Sequence, residues 1–423
     1  MPQSILEKQW KQGWLLLVNV QKSQPDQDMN ILVTDGSSRA ALAITRSLGK
    51  AGHRIFVASH SAKSLAGYSK YCFKCLIYPK PELSVRRFVE SIAYFVEEEE
   101  IEVLLPVSDI TTITIAEHRN LFEPGCKLPF PDSAILKQAA DKANLIEIAK
   151  RLEVPIPSSV RINGKEEIDR YIQEVNYPVV VKPSKSRIQT DDRWLSTSVD
   201  YAHSASELKS KLLTIPETTF PVLLQSRIEG PGTGLFYCFQ HGQPIAVFCH
   251  KRLREKPPSG GVSVLRESVE PNPFAKEYGE RLLKEIHWHG VAMVEFKQNE
   301  ADQTPYLMEI NGRFWGSLQL AIDSGVDFPK LLIETLSNNS VKPVNNYKIG
   351  VQTRWLCGDL DLLLMRFFKS SKSLNLPHNY PSRFSSFIEF MKFCGKNLYY
   401  EVLRLDDIRP WLFEITMWLL RKG

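Results

Sequence analysis

The sequence predicts an α/β chain: a parallel sheet near the N-terminus, an α+β body behind it and a mainly helical C-terminal extension. Three observations predict this. Asn30–Thr34, a tight turn, a helical stretch from Arg39 and then Arg54–Ala58 make a strand–helix–strand unit, which implies parallel strands. Beyond residue 160, short apolar strands follow one another with few helices between them. Near residue 300, two apolar runs flank a polar turn, the pattern of a hairpin with a longer loop. The chain has 423 residues, which suggests two to three domains. Its 43% hydrophobic and 24% charged content is ordinary for a globular protein.

A formal net charge of +5 is small for this length and gives no reason to expect a nucleic-acid partner. The seven cysteines are scattered and odd in number, which argues against a disulfide framework and for a reducing cytoplasm. Cys72 and Cys75 stand at redox or zinc spacing without a second pair, and read as two ordinary thiols beside a strand. Trp14–Val18 is far short of the roughly 18 apolar residues of a membrane span, and no secretory signal is expected.

In order, residues 1–28 read as an extension ending in a polar linker, with Met29 an alternative start. A parallel α/β domain is expected over 29–130, a second body over 131–340 with a small subdomain at 160–227, and the extension over 341–423. The Gly36 turn has only one of the three glycines of a dinucleotide fingerprint, and Ser59 and His60 stand where an acid should end the second strand. That turn is expected to wall a substrate cleft instead. Ser108 and Asp109 close the fourth strand at its carboxyl end, where open sheets bind ligands, although helix capping fits them equally. The basic stretch His250–Gly261 reads as an anion-facing loop, with Arg266 a candidate carboxylate contact, and Ser370–Ser386 reads as a loop. The aromatic, basic tail is expected to pack on the body, with a homodimer contact or a membrane surface as alternatives.

The chemistry concentrates in the hairpin Val291–Gly316. Glu295 and Glu309 interrupt apolar runs that a buried strand would keep free of charge. Asn311 lies two residues past Glu309 and so points to the same face. Two carboxylates and an amide oxygen are hard ligands suited to Mg²⁺ or Mn²⁺ that phosphates also hold. Arg313, two residues on, is a candidate for a phosphate or acyl phosphate. Lys182 ends the apolar strand Tyr177–Pro183, and a buried ammonium calls for an anionic partner, here a phosphate.

This pattern of Glu295, Glu309, Asn311 and Arg313 resembles the ATP-grasp superfamily, whose last core hairpin carries Glu…Glu-x-Asn-x-Arg. The resemblance spans roughly Asn30–Leu336 and is nearest to carboxylate–amine ligases related to biotin carboxylase and the carbamoyl phosphate synthase large subunit. It implies an N-terminal parallel-sheet domain and two α+β subdomains clamping ATP. It implies Lys142 and Lys182 as phosphate contacts, the backbone of Ser226 and Ile228 at the adenine edge, and Gln225 and Glu229 at the adenine amino group or ribose. It also implies Mg²⁺ on Glu295, Glu309 and Asn311, with Arg313 acting on the transferring group. The substrates implied are a small-molecule carboxylate and an amine. The segment Ser184–Ser196 departs from the family, because it holds no glycine where a flexible glycine-rich loop is usual. A nucleotide-binding regulatory or scaffold protein of a cell-envelope or polysaccharide pathway is the alternative reading.

Overall fold

The computed structural model describes residues 28–258, 261–336, 341–371, 373, 374, 376 and 380–422. The N-terminal extension therefore lies outside the described residues except at Asp28. Strands β1 (Asn30–Val33), β2 (Arg54–Ser59), β3 (Cys72–Ile77) and β4 (Val103–Leu105) form a parallel sheet in the order β3-β2-β1-β4. The crossover helix Arg39–Ala51 starts where the Ser38 hydroxyl accepts from the Ala41 N–H, and stops where Gly52 adopts φ +109°. Gly36 is packed against Val57 and Ser64, where the β1 turn bonds to Ala58 and Ala66.

The turn's working residue is Asp35. Its carboxylate accepts from the Thr111 hydroxyl at 2.7 Å and the Ser108 N–H at 3.1 Å, tying the carboxyl ends of β1 and β4 together. Ser108 then caps the helix Asp109–Glu117, which fixes where Asp109 stands.

A second sheet comprises β5 (Ser159–Ile162), β6 (Val179–Pro183), β9 (Asp200–Ala202) and β10 (Val222–Ser226), in the order β5-β10-β6-β9. It closes over Ile162, Val181, Leu208, Leu212 and Leu224. Between β6 and β9 the glycine-free segment forms a hairpin. Strands β7 (Arg187–Thr190) and β8 (Arg193–Ser196) pair around a two-residue turn with Asp191 at φ 46°. The hairpin lies on the N-terminal sheet domain. Asp192 accepts from the Arg86 N–H at 2.8 Å and the Ser84 hydroxyl at 2.7 Å, and Trp194 is buried with Phe88 in the main core.

The third sheet has seven strands: β11 (Gly232–Gln240), β12 (Gln243–Lys256), β13 (Val262–Ser268), β14 (Gly290–Gln298), β15 (Pro305–Asn311), β16 (Gln352–Arg354) and β17 (Leu398–Tyr400). Their order is β15-β14-β11-β12-β13-β16-β17. Strand β12 runs on to Lys256, so the expected anion-facing loop is largely strand. Its cations already have partners: Arg254 pairs with Asp359, Lys256 with Asp361 at 2.8 Å, and Arg252 with Glu255 at 3.1 Å. Arg266 likewise faces no substrate; it is 1% exposed and ion-paired with Glu401.

The tail packs on the body and is mainly helical, with helices Leu356–Phe368, Arg383–Phe390 and Arg409–Lys422, while β16 and β17 extend the large sheet. Within the expected loop 370–386, a helix begins at Arg383, capped by Ser382. The tail is clamped to the first crossover helix by Asp407, which takes Arg46 Nε at 2.8 Å, the Ser69 hydroxyl at 2.7 Å and the Lys70 N–H at 2.8 Å. Both Arg46 and Asp407 are buried. Breaking a buried pair leaves a stranded charge and costs about 3–5 kcal/mol. Arg46→Ala is therefore expected to lower the urea midpoint strongly, whereas the exposed pair of Lys50 and Asp406, broken by Lys50→Ala, leaves it nearly unchanged.

Candidate functional site

Glu295 and Glu309 face each other across β14 and β15 as a direct pair. A register irregularity follows at Phe296, which turns the hairpin without separating the two acids. Asn311 shares their face, and its Nδ2 donates to Glu309 Oε1 at 3.1 Å. Lys142 Nζ lies 3.5 Å from Glu309 Oε2, and Arg252 lies 3.7 Å from Glu295 Oε2. The two side chains keep 30% and 28% exposure, so both remain open to solvent.

The electrostatics follow from this arrangement. Burial, and then the neighbouring Glu309, push the Glu295 carboxyl up. Burial also pushes Glu309 up, but Lys142, Lys182 and the Asn311 amide outweigh it, and its net direction is down. Burial pulls the Lys182 ammonium down to about 8 against the opposing pull of Glu309. Lys182 reaches over from β6 to the Met308 carbonyl at 3.1 Å, directly before Glu309.

Lys142 is not the exposed first-turn lysine that its sequence position allows. It is buried, and its Nζ donates to Ser186 Oγ at 2.7 Å. The helix Lys142–Arg151 starts there because Asp141 caps it. Arg313 stands beside Asn311, with its Nη2 3.4 Å from Oδ1, but its Nε binds Asp109 at 3.1 Å. Asp109 is thus an arginine partner that holds the N-terminal sheet to the hairpin.

Glu295, Glu309 and Asn311 fit a divalent ion by donor chemistry, and their like charges favour a cation between them. Among the described residues no group of three His, Cys, Asp or Glu forms a full metal cage. The site is an open half-shell that phosphate oxygens would complete. Asn311 would have to turn its amide over to present oxygen to the pair, since Oδ1 now faces Arg313.

The chain just past the expected adenine-edge strand runs beside the turn end of the β14–β15 hairpin. Gln225 is buried and donates to Ser159 Oγ at 3.0 Å. The Ser226 N–H is taken by the Ser158 carbonyl at 2.8 Å, and the Ile228 carbonyl by Lys297 Nζ at 3.1 Å. Glu229 is exposed, and its carbonyl accepts from the Glu300 N–H at 3.1 Å. Gly230 at φ +136° makes this close approach obligatory, because a Cβ there would stand 1.8 Å from the Gln298 carbonyl oxygen.

A cleft of about 460 Å³ opens between the hairpin β7–β8, the helix Asp109–Glu117 and β15. Ile113, Ile188 and Trp194 give it an apolar wall, and Asp109, Lys142, Arg187 and Glu309 give it both signs of charge. Sequence reasoning missed Ser186 and Trp194, and met Arg252 only as part of the basic stretch His250–Gly261. Only the basic run around Arg252 carried a local signal.

A family model described as "ATP-grasp in the biosynthetic pathway with Ter operon" matches residues 221–358, which include the paired acids, Asn311 and Arg313. The fold is similar to a biotin carboxylase from Campylobacter jejuni solved as a β,γ-ATP complex, with a TM-score of 0.61 at 14% identity, covering 77% of this chain and 74% of that one. Residues 221–358 thus resemble an ATP-grasp domain, and the chain has the fold of that biotin carboxylase. The fold is likewise similar to the L-amino acid ligase from Bacillus licheniformis, with a TM-score of 0.56 at 14% identity over 76% of each chain. The carbamoyl phosphate synthase large chain of Clostridium acetobutylicum is 21% identical over 277 residues, which is 60% of this chain and 24% of that relative. The chain thus spans about a quarter of the length of this curated relative.

Trp194 anchors the hairpin that roofs the cleft. Removing a buried Trp costs about 3–5 kcal/mol. Trp194→Ala should therefore speed amide hydrogen exchange in 187–196 by roughly tenfold or more while leaving β1 and β2 protected.

Proposed function

We propose that this chain is an ATP-grasp protein and an ATP- and Mg²⁺-dependent ligase that activates a carboxylate as an acyl phosphate for attack by an amine. The observation that carries the reading is the convergence of Glu295, Glu309 and Asn311 with Lys142 and Lys182, cations delivered by two other elements. Phosphoryl transfer asks for positioning and charge neutralisation more than for acid–base groups. Lys182 and Lys142 are held against carboxylates in a buried setting and would bind phosphate oxygens in their place. Bound at the acids, Mg²⁺ or Mn²⁺ would supply charge neutralisation on the phosphates. Arg313, released from Asp109 or sharing it, would hold the transferred group. Gln225, Ser226, Ile228 and Glu229 would receive the adenosine end, the Ser226 carbonyl and Ile228 N–H being the edge groups left by the contacts described above.

The cleft's apolar wall between opposite charges suits a zwitterion, so an amino acid or small peptide is our reading of the amine substrate. The seven free thiols suit a reducing cytoplasm. Among the described residues no helix is long and apolar enough to cross a membrane. The exposed Phe384, Phe387 and Ile388 form the surface on which a homodimer or peripheral membrane contact would be made.

One observation favours a second reading, a nucleotide-binding regulatory or scaffold protein of a cell-envelope pathway: the glycine-free hairpin is already fastened down on the N-terminal sheet. ADP release separates the two. Incubation with ATP, Mg²⁺ and pooled carboxylates and amines is expected to release ADP only when both substrates are present. Glu309→Ala should reduce that rate on the order of a hundredfold or more. A nucleotide-dependent rise in melting temperature without ADP release would support the binder.

A further inference from the structure

We propose that Cys72 and Cys75 are a dithiol modification site, closed to an intrachain disulfide by a small disulfide oxidant such as oxidised glutathione. In a regular strand, residues i and i+3 point to opposite faces and lie about 10 Å apart, so they cannot be bridged. Strand β3 is not regular there. Cys72 pairs with Ile55, Lys74 with Phe56 and Cys75 with Val57, so Phe73 is an extra residue in the ladder. Phe73 bulges outward, 57% exposed, under the Arg54 guanidinium at 4.1 Å. The bulge resets the alternation and brings both cysteines to the face of Ile55 and Val57. Their sulfurs stand 3.6 Å apart. Closing a disulfide then requires an approach of only about 1.5 Å, to the 2.05 Å bond length.

The two sulfurs differ in access. Cys75 is exposed on an edge strand, and Cys72 is half-buried beside it. Hydrogen bonding from Cys72 pulls the Cys75 thiol down to about 7, and the same contact together with burial pushes Cys72 up. Cys75 is therefore the attacking thiol and Cys72 the resolving one. The Cys75 thiolate attacks one sulfur of oxidised glutathione, and one glutathione thiolate leaves. The Cys72 sulfur, giving its proton to water, then attacks the Cys75 sulfur and expels the second glutathione. Two protein thiols are oxidised by two electrons, and one glutathione disulfide is reduced to two thiols.

The site stands apart from the ligase cleft, and its neighbour is the segment that receives the tail. The Cys75 thiol donates to the Gly67 carbonyl at 3.6 Å, and the adjacent Tyr68 stacks on Phe413 of the C-terminal helix at 4.3 Å. Oxidation removes that donor at the point where tail and N-terminal sheet meet.

The test uses the full reduced chain in glutathione mixtures of increasing oxidised fraction, quenched with N-ethylmaleimide and digested with trypsin. Cleavage after Lys74 makes a Cys72–Cys75 bond visible as a cross-link between two peptides. The expected result is that cross-link, with two alkylations fewer on the chain. In Cys72→Ser, Cys75 is expected to stop as a mixed disulfide with glutathione. The proposal is overturned if Cys72 and Cys75 are both alkylated under conditions that glutathionylate the exposed Cys394. It is also overturned if Cys72→Ser leaves Cys75 unmodified while Cys75→Ser traps glutathione on Cys72.

Discussion

Two carboxylates held opposite each other on adjacent strands repel, and the rest of the structure is arranged around that repulsion. Glu295 and Glu309 cannot both be charged side by side without cations near them. The protein brings these from several directions: Lys142 from a helix start, Lys182 from the neighbouring sheet, Arg252 from β12 and Arg313 from beyond the hairpin. Each is oriented by a second contact. Ser186 holds Lys142, the Met308 carbonyl holds Lys182, Glu255 holds Arg252 and Asp109 holds Arg313. A polyanionic ligand carrying its own divalent ion would meet donors that are already in place.

Positioning on this scale needs three sheets to stay registered, and the fastenings are polar and specific. Asp35 ties the ends of β1 and β4, which sets Asp109, which in turn meets Arg313. Asp192 and Trp194 fasten the roof hairpin to the N-terminal sheet domain. Asp407 and Glu401 draw the tail back onto Arg46, Arg39 and Arg266, so the last strands and helix join the same core that carries β1. These buried ion pairs confer registry rather than net stability, because their desolvation offsets much of their attraction.

The hairpin was legible in the sequence for a physical reason: an acid inside an apolar run is costly, so Glu295 and Glu309 announce themselves without knowledge of their neighbours. Lys182 was legible by the same argument. Other residues looked alike in sequence and proved different because their partners lie far along the chain. Arg266 and Arg254 read as ligand contacts until Glu401 and Asp359 are seen beside them. The Ser184–Ser196 segment read as a variant loop because composition drew attention to its lack of glycine, although Ile188 and Trp194 flank a two-residue turn as hairpin residues do. Cys72 and Cys75 read as ordinary thiols because no second pair accompanies them, and their closeness depends on the bulge at Phe73, which carries no sequence signal.

The central claim is that the paired acids exist to hold a cation together with a nucleotide. Its most direct test is calorimetric binding of a non-hydrolysable ATP analogue to the parent chain and to Glu295→Gln and Glu309→Gln, each with Mn²⁺ and with chelator. The account predicts that Mn²⁺ tightens binding to the parent chain and that either substitution abolishes most of the tightening. Equal affinity with and without Mn²⁺ in the parent chain, or full tightening in both variants, would contradict it.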